Sequence, residues 1–96
     1  MKAHLILYEK GFDELGNIIE VKMWQLPTPT EDKPHGYKYS LVYIVDDIRA
    51  IGYDNAEEKG DHRHIYEATN VYRFVSLRDL VTDFYNDVEK FKRGEL

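Results

Sequence analysis

The last segment of the chain restricts the fold most. Leu77, Leu80, Val81, Phe84, Tyr85, Val88 and Phe91 recur at helical spacing, so one amphipathic helix follows Ser76. Ser76 can cap it through its hydroxyl, and Asp79 suits the positive end of the helix dipole. Lys90, Lys92 and Arg93 suit the negative end, and Gly94 stops it. An apolar stripe of this kind needs a surface to cover, and the residues before it read as β structure. His4 to Tyr8 is a short apolar strand, followed by turn chemistry from Gly11 to Gly16. From Asn17 to Leu26, Ile19, Val21 and Met23 alternate with Glu20, Lys22 and Trp24, the period of a half-buried strand. Pro27, Pro29 and Pro34 keep the next stretch out of a sheet interior. Gly36 to Val45 and Ile48 to Asp54 are separated only by Asp46-Asp47, which predicts a tight hairpin. Asn55 to His64 reads as an exposed polar loop, Tyr66 to Asn70 is unassigned, and Val71 to Val75 is a last strand. The expected class is α+β: a small antiparallel β-sheet of four to five strands covered on one face by a C-terminal α-helix, in one domain over residues 1–96.

Composition excludes several function classes. With no cysteine, disulfide frameworks, zinc ribbons and thiol nucleophiles are ruled out. A net charge of −5 argues against a general nucleic-acid or anionic-membrane binder. No apolar run approaches the ~18 residues of a membrane span, and the start of the chain lacks the pattern of a secretory signal, so a cytoplasmic protein is expected. The charge is unevenly spread. Residues 33–39 carry Lys33 and Lys38 without an acid, and residues 59–64 carry Lys59 and Arg63 against Asp61 alone. The average hides a small basic, imidazole-rich end on an acidic body, able to hold one or two phosphates but not a long duplex.

A register with Val45 opposite Ile48 brings those two segments together. Tyr39 then faces Asp54, Lys38 faces Asn55, and Ser40 faces Tyr53, at the open end of the hairpin. The residue types gathered there suit metal-free phosphodiester cleavage. One imidazole takes a proton from an attacking hydroxyl and another gives one to the leaving oxygen, because histidine titrates near working pH. His62 or His64 is the candidate base, and His35 or the other loop histidine the acid. Asp54 or Asp61 would orient an imidazole, and Lys59 and Arg63, with Lys38 in support, would hold the phosphate. Asn55 could bond a phosphate or a base. Tyr37, Tyr39 and Tyr53 are expected in more open positions near the hairpin mouth, suited to stacking or phosphate contact. Tyr43, Tyr85 and Trp24 are expected in the core or half-buried in the sheet, and His4 as an ordinary strand residue. Two other readings fit the same residues. His62-x-His64 on an extended segment points both imidazoles one way and, with Asp54 or Asp61, could hold a transition metal, although Lys59 and Arg63 oppose a bound dication. Histidines in a charged loop also fit a plain solvated surface.

The strings Pro34-His35-Gly36-Tyr37-Lys38-Tyr39, Gly52-Tyr53-Asp54-Asn55, Lys59-Gly60-Asp61-His62-Arg63-His64 and Tyr72-Arg73-Phe74-Val75-Ser76-Leu77 resemble the TumE family. Trp24-Gln25-Leu26-Pro27 fits the same pattern, and the likeness runs from about Leu5 to Val88. That family implies the toxin half of a type II toxin–antitoxin module, neutralised by a helix-turn-helix antitoxin. By analogy with toxins of this size, the implied activity is that of an endoribonuclease with RNA as substrate and no cofactor. The alternative is a non-enzymatic protein-binding module that acts through, or is neutralised by, its partner. Exposed sheet edges would allow a homodimer or an added antitoxin strand.

Overall fold

The computed structural model describes residues 3–56 and 59–96. Met1 and Lys2, and Glu57 and Glu58 of the expected loop, lie outside the described residues. Strands β1 (His4–Phe12), β2 (Ile18–Gln25), β3 (Tyr37–Val45), β4 (Ile48–Asp54), β5 (His62–Ile65) and β6 (Ala68–Val71) precede helix α1 (Leu77–Lys92). The strands form one antiparallel sheet in chain order, with β1 and β6 at its edges. The α+β class therefore holds, with six strands rather than four to five.

Four sequence expectations need correction. β1 runs past Gly11 to Phe12, and the turn follows, fixed by Asp13, whose carboxylate accepts the Leu15 and Asn17 N–H groups. Asp46 and Asp47 both adopt positive φ, as a mirror-image two-residue hairpin turn requires. Val45 does face Ile48, and Ile44 faces Arg49, but Ala50 is an extra residue on β4. Beyond this bulge the register moves by one, so Ser40 faces Asp54 and Leu41 faces Tyr53. Residues 62–64, expected in a loop, form strand β5 with Ile65 and pair with β4. Of the expected strand at 71–75, only Val71 lies in β6, and Tyr72 to Ser76 lead irregularly into the helix.

The helix forms as its pattern dictates. Ser76 Oγ accepts the Asp79 N–H at 3.0 Å, and Gly94 takes positive φ just past the last turn. Leu80, Phe84 and Val88 are buried against the sheet, while Tyr85 is 38% exposed. Alternation on the strands then sets two faces. Val21 and Met23 of β2, Tyr39, Leu41 and Tyr43 of β3, and Ile51 and Tyr53 of β4 make the core with the helix. Trp24, Lys38, Ser40, Arg49, Gly52, Asp54, His62, His64 and Thr69 lie on the other face. Among the described residues, no second layer packs on that open face. Among them also, no helix is long and apolar enough to cross a membrane.

Candidate active site

The residues grouped by the sequence separate into three clusters, because neighbours on a strand point to opposite faces. The first cluster lies under the helix face at the mouth of the β3–β4 hairpin. Asp61 accepts the Tyr39 hydroxyl at 2.7 Å, the His35 Nε2 proton at 3.0 Å and the Asn55 amide at 3.2 Å. The His35 tautomer follows from its other nitrogen. Nδ1 accepts the Tyr37 N–H at 3.1 Å, so the ring proton sits on Nε2. Phe74 stacks on the same imidazole at 3.9 Å, and Tyr37 lies beside both rings. Asn55 is 1% exposed and stands in for a strand partner, accepting the Tyr39 N–H and donating to the Tyr37 carbonyl. Burial, then the hydrogen bond to Asp61 and its charge, push the Tyr39 hydroxyl well above its ordinary pKa. The polar atoms of His35, Asp61, Tyr39 and Asn55 are thus spent on one another and on the β3 backbone.

The second cluster ties the sheet to the helix. Arg63 turns toward α1 and forks onto Asp87, Nε at 2.7 Å and Nη2 at 2.9 Å. The Tyr53 hydroxyl donates to the same carboxylate, and Asp87 is 4% exposed. Burial and Asp87 push the Tyr53 hydroxyl above its ordinary pKa as well. Tyr39 and Tyr53 are therefore not open. Each projects into the core, because β3 and β4 present these positions to the helix. Lys38 lies apart on the open face, its ammonium over the Trp24 ring.

The third cluster is a pocket of about 280 Å³ on the open face, lined by Arg49, Asp54, Lys59, Gly60, His62, His64 and Thr69. Both histidines of β5 face it, with ring centroids 6.4 Å apart, while Arg63 between them faces away. Their bonding differs. His62 Nδ1 lies 2.9 Å from the Gly60 carbonyl, which can only accept, so Nδ1 holds the proton and Nε2 the lone pair. Among the described residues, that Nε2 has no hydrogen-bond partner. His64 Nε2 lies 3.0 Å from Asp54, and its Nδ1 lies 3.1 Å from Thr69 Oγ1. A doubly protonated His64 would find an acceptor on each side. No group of three or more His, Cys, Asp or Glu side chains among the described residues is placed to hold a metal ion.

Sequence reasoning missed Arg49 and Thr69. The Ala50 bulge puts Arg49 on the same face as Gly52 and Asp54, where an unbroken strand would have turned it away. Gly52 then leaves room for it, since a Cβ there would stand 2.9 Å from Arg49 Cδ. The guanidinium reaches to 3.8 Å from Asp54. A glycine inside a β run was the available signal, because it marks a close approach by another group.

The family model described as Toxin TumE matches residues 4–92. No match is found among curated proteins or among solved structures. The matched span begins with β1 and ends with α1, so it takes in the whole sheet, the pocket and the helix. The chain belongs to the TumE toxin family.

Proposed function

We propose that this toxin is a metal-independent endoribonuclease that cuts RNA in the pocket on the open face. The observation that carries the reading is the unequal bonding of two imidazoles in one pocket. His62 offers a lone pair on Nε2, and His64 sits between Asp54 and Thr69, where a second proton is accommodated. In this reaction His62 Nε2 takes the proton of a ribose 2′-hydroxyl as its oxygen attacks the adjacent phosphorus. The bond from phosphorus to the 5′-oxygen breaks, and His64 Nδ1–H, with Thr69 displaced, protonates that oxygen. The products are a 2′,3′-cyclic phosphate and a free 5′-hydroxyl. Arg49 and Lys59, both lining the pocket, stabilise the charge that builds on the phosphoryl oxygens. Asp54 fixes the orientation of the His64 ring. His35, Asp61, Arg63, Asn55, Tyr39 and Tyr53 support the scaffold in this reading. A helix-turn-helix antitoxin would neutralise the toxin, with the acidic body of the chain offering it a complementary surface.

The test is RNA cleavage by purified protein, alongside growth arrest on induction. His62→Ala and His64→Ala should each lower the cleavage rate by about 10² to 10⁴-fold, with the fold intact by circular dichroism and EDTA without effect. Cleavage equal to wild type in both variants sinks the assignment. A milder variant probes Arg49. Gly52→Ala would put a Cβ against its side chain and should slow cleavage by about tenfold, less than outright loss of a charge-stabilising donor. The unfolding midpoint should move little, because the flexible end of Arg49 can shift away.

A further inference from the structure

The pocket occupies only the β4–β6 half of the open face. The other half carries lysines interleaved with aromatic rings. Lys22 Nζ lies 5.8 Å from the Tyr8 ring centroid, and Lys38 Nζ lies 5.3 Å from that of Trp24. Tyr8 is 52% exposed. With Lys10, these lysines face, among the described residues of this half, a single acid, Glu20, which is held by Lys22 at 3.4 Å and by the Tyr8 hydroxyl at 3.2 Å. This half is therefore locally basic in a chain of net charge −5. The register joins the halves, since Tyr8, Lys22, Ser40, Asp54 and His62 are successive partners across β1 to β5. At the usual strand spacing Lys22 stands about 14 Å from His62, and Tyr8 about 19 Å.

We infer that the β1–β3 half of the open face binds single-stranded RNA, as a track leading to the cleavage pocket. The inference rests on the ribonuclease reading for its choice of ligand and adds the element that would select unpaired RNA. Trp24 and Tyr8 stack bases, and Lys22 and Lys38 move from the rings onto phosphates. A flat aromatic surface with flanking ammonium groups suits a strand whose bases are exposed. A duplex keeps its bases stacked inside and has none to offer, and the bare edge of a protein surface has no phosphate for the lysines.

Trp24 is the only tryptophan of the chain, so its emission reports on this half alone. The probe is a short 2′-O-methylated oligouridylate, which lacks the attacking hydroxyl and cannot be cut. Its addition to the full-length toxin should quench Trp24 emission saturably. Affinity should fall steeply with salt. Lys22→Glu and Lys38→Glu should each weaken binding about tenfold, as should Tyr8→Ala, which removes one stacked base. Lys90→Glu, on the helix behind the sheet, should bind as wild type does. Unchanged Trp24 emission, or wild-type affinity in both lysine variants, overturns the track. The two readings fail separately. Quenching by a toxin that does not cut RNA supports the track and removes the ribonuclease, whereas RNA cleavage with a silent Trp24 does the reverse.

Discussion

Asp61→Ala should cost about 3 to 5 kcal/mol of stability, the range for breaking a buried charged network from one side. Asp61 is the common acceptor for His35, Tyr39 and Asn55, so the substitution leaves three donors without their partner. The Tyr39 side chain is fully buried and its hydroxyl cannot turn to water. Each stranded donor costs about 1 to 3 kcal/mol. For a chain of this size the unfolding midpoint should fall by about 15 °C or more. Asp61→Asn keeps one acceptor oxygen and should lose less. Thermal and urea unfolding of the two variants measure this directly. A midpoint within a few degrees of wild type for Asp61→Ala would show that the network is dispensable. The same experiment separates scaffold from chemistry. His35→Ala should lose stability in the same way, while His62→Ala, whose ring makes one hydrogen bond among the described residues, to the Gly60 carbonyl, should barely change it.

That separation was not legible in the sequence. The meeting of residues 33–39 with Asp54, Asn55 and residues 59–64 was, since the Asp46-Asp47 turn alone places them at one end of a hairpin. What could not be read was the face on which each side chain falls. One bulge residue, Ala50, shifts the register, and nothing in a buried alanine announces it. Without it Arg49 still faces Ile44, but Asp54 pairs with Tyr39 and turns to the helix side. With it both join the pocket.

β5 was hidden for a related reason. His62-Arg63-His64-Ile65 alternates, but its helix-side residues are an arginine and an isoleucine, so the period carries no apolar signal. Arg63 can face the core side only because Asp87 waits on the helix, and a carboxylate within an otherwise regular helix does not reveal that it is buried. The β5–β6 turn lacks glycine and asparagine, and Tyr66 takes the positive φ there. The helix, by contrast, was fully legible. Its cap, stripe and stop all agree with one another, and none depends on a distant partner.

The buried tyrosines should make the protein sensitive to alkali. The Tyr39 and Tyr53 hydroxyls are held above their ordinary pKa, chiefly by burial and then by the carboxylates of Asp61 and Asp87 that accept their hydrogen bonds. In the unfolded chain both release their protons near pH 10. Above that pH the folded state binds more protons than the unfolded one, so stability falls as pH rises. Their contribution is fully present below pH 10 and is lost progressively beyond it. At pH 11 each costs about 1.4 kcal/mol. Together the pair removes about 3 kcal/mol from a total that for such domains is about 5 to 15. Tyr72, raised by burial and by Asp83, acts in the same direction. Urea midpoints at pH 8, 10 and 11 should therefore drop steeply in the last interval. Absorbance of tyrosinate from these side chains should appear with unfolding rather than ahead of it. Tyr39→Phe and Tyr53→Phe isolate the effect from the titrating lysines. The double variant is less stable at pH 8 because Asp61 and Asp87 each lose a donor, yet its stability should decline much less between pH 10 and 11. An equal decline in wild type and double variant would show that neither hydroxyl is held protonated by the fold.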